Sequence, residues 1–281
     1  MRQKLNIIIG LDLFALALLV ASGMSEGILS EFFYYAAFLL PIGIGLFLLG
    51  RLPARETDAL TLLPRPAKTE DSGDDRPLAP TEWLPFAAPI LLFIFALAAL
   101  TALLFSLVGR SDATPLSENA VTNVLLHALL PALFEETLLR YLPLRLLGED
   151  KRCALVYSAL FFSLIHCNLF RIPYAFAAGV LFAAMDLAAG CLLPSLILHF
   201  VNNLLSLLWT ARGQSPLFVG IFIGTAVALS LLSLLLIWKK RKRYFARLSA
   251  VFGKKRKLFL SFEPFLFALI TLYLAVSAWI L

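Results

Sequence analysis

Runs of consecutive apolar residues, separated by short polar stretches, mark nine candidate spans at about 5–22, 32–50, 84–108, 119–147, 153–168, 172–190, 192–210, 216–238 and 262–281. They are continuously apolar, without the period-two alternation of barrel strands, and so predict helices. About twenty helical residues reach roughly 30 Å, the hydrocarbon thickness of a bilayer. The expected fold is an all-α, polytopic membrane helix bundle of about 8–9 transmembrane helices. Two spans are weaker than the rest: 5–22 is interrupted by Asp12, and 153–168 is brief for a full crossing. The polar breaks divide the chain into an N-terminal transmembrane hairpin (1–50), a polar linker (51–82), a third transmembrane helix with its loop (83–118), a helical core (119–210) and C-terminal helices (211–281) with a basic loop at 239–257.

Composition agrees with this pattern. Of 281 residues, 60% are hydrophobic and only 15% charged, whereas soluble domains are about a quarter charged. The linker, rich in Pro, Asp and Glu, has no core-forming pattern and reads as mobile. No internal repeat is visible. Cys153, Cys167 and Cys191 all lie in or beside apolar runs and show neither a disulfide framework nor zinc-type spacing. Arg2 and Lys4 precede the first run, but Asp12 and the span that follows favour a retained anchor over a cleaved signal peptide.

Charge sets the expected orientation. With the N-terminus in the cytoplasm, alternating spans place twenty Lys and Arg inside and three, Arg110, Arg171 and Arg212, outside. The expectation is an integral protein of the plasma membrane. Ten of the basic residues fall at 239–257, between apolar spans, so the expected partner there is the anionic inner leaflet and not nucleic acid.

Against this background the polar residues inside spans stand out. Glu135, Glu136 and Arg140 lie within one apolar run, and each costs about 2.5–3.5 kcal/mol at the centre of a membrane helix. Glu136 and Arg140 are four apart and share a face, which predicts an ion pair. Glu135 is then about 100° round the helix and free for another task. Pro131 predicts a kink beside it. The loop 148–152 makes the next helix an antiparallel neighbour. Counting from residue 150, Glu135 and His166 both lie about 23 Å along their helices, at matching depth. His199 and Asn203 share a face of a later helix, but His199 is only about 8 Å beyond Pro194, so it joins the site only if the uncharged turn 188–194 is recessed. His127, two turns before Glu135, is a candidate to stand behind it. Asp186 and Asn168 sit near span ends and are expected at the interface.

Glu-Glu-x-x-x-Arg (135–140), Phe-x-x-x-His (162–166) and His-x-x-x-Asn (199–203), in this order on successive helices, resemble the CPBP family. That family comprises the CAAX prenyl proteases and bacteriocin-processing or bacteriocin-immunity homologues. The resemblance covers about 119–210, making this stretch a CPBP-like catalytic helix core. It implies an intramembrane endopeptidase acting on a membrane-associated peptide or lipidated protein. Glu135 and His166 would activate the attacking water, with Glu135 as general base. His199 and Asn203 would stabilise the oxyanion, and Glu136 and Arg140 would support the site.

Three alternatives remain open on the residues alone. Glu135, His166 and His199 are also a three-ligand zinc set. The absence of a His-Glu-x-x-His pair and the resemblance both favour a mechanism with no cofactor. A transporter or proton relay would also bury Glu and His, but it predicts an inverted repeat that is not seen. A non-proteolytic immunity or partner protein would keep the fold and cut nothing.

Overall fold

Continuous apolar runs become helices because a helix satisfies its backbone hydrogen bonds internally. The computed structural model describes residues 2–51, 60–64, 76–107, 117–148, 150–166, 168, 170–213 and 215–252. Its elements are α1 (Arg2–Gly23), α2 (Gly27–Gly50), α3 (Pro80–Trp83), a 3-10 turn (Leu84–Phe86), α4 (Ala87–Leu107), α5 (Ala120–Val124), α6 (Leu130–Glu136), α7 (Leu142–Leu146), α8 (Lys151–Leu164), α9 (Arg171–Ala189), α10 (Leu193–Arg212), α11 (Pro216–Lys239) and α12 (Arg241–Phe252). Five-residue π-turns, Leu125–Leu129 and Thr137–Tyr141, join α5 to α6 and α6 to α7.

The protein is an all-α integral membrane protein. Among the described residues, six helices are long and apolar enough to cross a bilayer. The broken helix α5–α7 and the 14-residue α8 occupy the fourth and fifth expected spans. At about 21 Å, α8 is too short to cross alone. The ninth expected span, 262–281, and the second basic cluster, Lys254–Lys257, lie outside the described residues, as do most of linker 51–82 and Cys167. Cys153 and Cys191 are buried free thiols.

The chain forms two compact units. The first contains α1, α2, the segment from Phe134, α8 and α9 up to Ala183. Here α1 and α2 form a hairpin that turns at Gly27, whose φ of +57° suits glycine. Ser22 and Ser30 bridge the turn, each hydroxyl donating to the other's backbone carbonyl at 2.8 and 2.9 Å. Both helices pack on α7. Asp12 does not break α1; it is fully buried there.

The second unit contains residues 63–133 and 184–254 within the described chain. In it α4, α10 and α11 line a half-open apolar pocket of about 480 Å³, with residues such as Leu91, Phe95, Val201, Leu205, Phe222 and Leu229 on its walls. Phe95, Trp209 and Phe222 meet with ring centroids 5.0–5.8 Å apart. At one end of this unit meet the strap 76–83, the turn 187–195 and α12. The expected mobile linker is therefore ordered at its C-terminal end. Glu82 is buried there, taking Arg76 Nη1 at 3.0 Å and lying 3.4 Å from Arg243 Nε. Burial, and then the Glu82 carboxylate, push the Tyr244 phenol above its ordinary range, so it remains a donor to the Glu82 carbonyl at 2.9 Å.

Candidate active site

Two prolines shape the helix that carries the carboxylates. Proline lacks an N–H, and its ring presses on the carbonyl four residues back. Ahead of Pro131 and of Pro143 the helix widens into a π-turn, closed by Leu130 N–H on the Leu125 carbonyl and Leu142 N–H on the Thr137 carbonyl. Such turns often mark functional positions in helices. The Leu139 carbonyl, which Pro143 cannot bond, accepts instead from Ser158 Oγ at 2.8 Å. The only kink that the sequence suggests is at Pro131. At the second, ahead of Pro143, α8 supplies the hydroxyl that the freed carbonyl needs.

Glu136 and Arg140 form the structural couple. Both are fully buried. Arg140 Nε donates to Glu136 Oε2 at 2.7 Å and Nη2 donates to Oε1 at 3.2 Å. Nη1 donates to the Gly179 carbonyl at 2.9 Å and to Ser158 Oγ at 3.3 Å. The guanidinium lies over the Phe162 ring, 4.8 Å from its centroid, with Phe182 at 5.8 Å. A buried cation needs this degree of compensation, because desolvation alone costs several kcal/mol, of order 5, per ion. Gly179 makes the carbonyl contact reachable: a Cβ there would come 2.9 Å from Ala159 Cα. Ser158 and Gly179 escape the sequence reading because small residues in an apolar span look like helix-contact filler.

Glu135 lies on the same turn but addresses a different neighbour. Its Oε2 is 4.0 Å from His166 Nε2. The side chains are 16% and 19% accessible, while Glu135 Oε2 itself is buried. The His166 ring is oriented from behind: Nδ1 lies 2.7 Å from the Phe162 carbonyl, which can only accept, so Nδ1 carries a proton. In the neutral ring Nε2 is then a lone pair facing Glu135. His166 sits in the turn just past α8, which ends at Leu164, not within the expected helix to 168. The gap of 4.0 Å is too long for a direct hydrogen bond. A water bonded to both atoms at about 2.8 Å would subtend about 90° there, an acceptable bridging geometry. Phe134, the preceding residue, stacks on Phe38 of α2 with centroids 5.9 Å apart, holding this turn against the hairpin.

The remaining expected site residues lie in the second unit. His199 is buried on α10, and Asn203, one turn on, is half-buried. The Asn202 Nδ2 to Asn203 Oδ1 separation is 3.4 Å. His127 is half-buried in the first π-turn. Asp186, expected at the interface, is fully buried instead. Its Oδ1 accepts the Ser195 N–H at 2.9 Å, and its carbonyl accepts the N–H groups of Gly190 and Cys191 at 2.7 and 3.2 Å. It therefore ties the C-terminus of α9 to the N-terminus of α10, satisfying donors that a helix start leaves open. The turn passes through Gly190, at a φ of +70°, and is itself buried at Leu187–Ala189 and Cys191–Leu192. Asn168, the other expected interfacial residue, caps α9 by accepting from the N–H groups of Phe170 and Arg171, each at 3.1 Å.

Among the described residues no group of three or more His, Cys, Asp or Glu side chains is placed to hold a metal ion. In the first unit Glu135 and His166 form a two-donor pair.

Against known proteins, residues 117–205 match a family described as Type II CAAX prenyl endopeptidase Rce1-like. No curated protein and no solved structure matches the chain.

Proposed function

Because residues 117–205 match the Rce1-like CAAX endopeptidase family, we propose that this protein is an intramembrane endopeptidase in which Glu135 activates water. The observation that carries the proposal is the Glu135–His166 pair, 4.0 Å apart and in partly accessible side chains, beside a separate ion pair that keeps Glu136 and Arg140 occupied.

The chemistry follows from these roles. A water held between Glu135 and His166 Nε2 loses a proton to the carboxylate as its oxygen adds to the scissile carbonyl carbon. The carbonyl oxygen takes up negative charge, and His199 and Asn203 are the proposed donors to it. Fixed donors of this kind are often the largest catalytic contribution. The protonated Glu135 then returns its proton to the leaving nitrogen as the C–N bond breaks. A carboxylate acting in turn as base and acid contributes about 10²–10⁴-fold. No metal is required by this sequence of steps.

The substrate proposed is a membrane-associated peptide or a lipidated protein tail. The apolar pocket of the second unit, at about 480 Å³, is within the size range that takes small apolar ligands, which supports a lipid-bearing substrate. The test compares wild type with Glu135→Ala and Glu136→Gln in cells, following membrane peptides by mass spectrometry. Products that vanish with Glu135→Ala support the proposal; their persistence at the wild-type rate refutes it. Glu136→Gln should act chiefly through lower protein yield.

A further inference from the structure

We propose that α12 docks on anionic lipid headgroups through its outer face and, through Arg247 on its inner face, fixes the turn between α9 and α10. The two faces are chemically distinct. Arg243, Tyr244, Arg247 and Val251 follow helical spacing and turn inward. Arg243 Nη2 donates to the Arg76 carbonyl at 2.8 Å. Tyr244 reaches the Glu82 carbonyl, and its ring meets Phe86 edge-on at 4.8 Å. Arg247 reaches furthest: Nε donates to the Ala188 carbonyl at 2.8 Å and Nη2 to the Leu187 carbonyl at 3.1 Å. These are carbonyls of the last turn of α9, where a cation is favoured by the helix dipole. The Ala188 carbonyl also accepts Leu78 N–H at 3.0 Å, so strap, turn and α12 converge on one oxygen.

The outer face has the composition of a membrane-surface element. Lys239 at the end of α11, Lys240 in the turn, and Arg241 and Lys242 at the start of α12 are all exposed and continue this face. Trp238, Phe245 and Leu248 are exposed beside them, at 66%, 71% and 39%. Arg241 lies over the Trp238 ring at 4.5 Å and donates to its carbonyl, holding an aromatic and a cation together. Clustered cations next to exposed aromatic and aliphatic side chains, at the end of a spanning helix, complement a negatively charged headgroup layer. Among the described residues nothing else in the second unit presents cations so densely. The turn gripped from behind is the one that Asp186 latches to the start of α10, the helix of His199. Headgroup charge would therefore set how firmly α10 is anchored.

The test is hydrogen exchange on the full chain in nanodiscs of phosphatidylcholine with and without phosphatidylglycerol. It requires no cleavage, so its outcome is separate from that of the protease proposal. In wild type, phosphatidylglycerol should slow exchange of peptides covering α12 and of those covering 186–195 by about fivefold or more. The triple change Lys239→Gln, Lys240→Gln and Lys242→Gln should abolish both responses. Arg247→Ala should keep the response of α12 and lose that of the turn. Equal exchange of 186–195 in the two lipids for wild type overturns the proposal, and so does a turn in Arg247→Ala that still responds.

Discussion

Arg140 Nη1 reaches the Gly179 carbonyl at 2.9 Å, across a helix contact so close that a Cβ at 179 would come 2.9 Å from Ala159 Cα. The obstructing atom is backbone, so it cannot rotate away. Gly179→Ala should therefore destabilise the fold by about 1–3 kcal/mol, as overpacked cores do. Thermal unfolding in detergent measures this, and Gly220→Ala on α11, where an added Cβ would meet nothing within 4 Å, serves as the control.

The Glu136–Arg140 pair should behave as structure. Removing one partner of a buried ion pair costs about 3–5 kcal/mol because the other is left uncompensated. Glu136→Gln and Arg140→Ala should each lower folded yield and unfolding temperature. Arg140→Lys should rescue little, since an ammonium cannot span Glu136, Ser158 and Gly179 at once. A stable Arg140→Lys protein would contradict this.

Ser158 and Pro143 should be coupled. Ser158→Ala leaves the Leu139 carbonyl without its donor and should cost about 1–3 kcal/mol. Pro143→Ala restores an N–H four residues beyond that carbonyl. The penalty of Ser158→Ala should be smaller in the Pro143→Ala background, and a double-mutant cycle on unfolding free energies measures the difference. Additive effects would mean that proline is not the reason for the hydroxyl.

Metal dependence gives a fourth expectation. Glu135 and His166 are proposed to work on water alone, so activity should be unchanged after exhaustive chelation in a preparation shown by elemental analysis to be metal-free. Loss of activity on chelation, with recovery on adding zinc, would favour the three-ligand set with His199.

Much of this architecture was legible in the sequence, and the physical reasons differ by feature. Apolar runs announce helices, and eight of the nine expected spans correspond to helices among the described residues. The Glu136–Arg140 pair follows from i, i+4 spacing alone. The proximity of Glu135 and His166 was open to counting, because a short loop fixes the register of the helices on either side. The partner of the second π-turn was not open to it, since the Leu139 carbonyl that Pro143 leaves unbonded is taken by a hydroxyl from another helix. The burial of Asp186 was missed for a similar reason: a carboxylate near a span end looks solvated until the turn folds back and offers it the Ser195 N–H. Glu82 looked like part of a solvated linker because its partner Arg243 lies far along the chain.

The central claim is that Glu135 is the base that activates water. Its most direct measurement is the cleavage rate of a prenylated CAAX-type reporter peptide by purified wild type and Glu135→Gln, reconstituted in liposomes and matched for unfolding temperature. The amide keeps the shape of the side chain but cannot take the proton. The account predicts a rate lower by about 10²–10⁴-fold with folding intact. A Glu135→Gln protein that cleaves at the wild-type rate would contradict it.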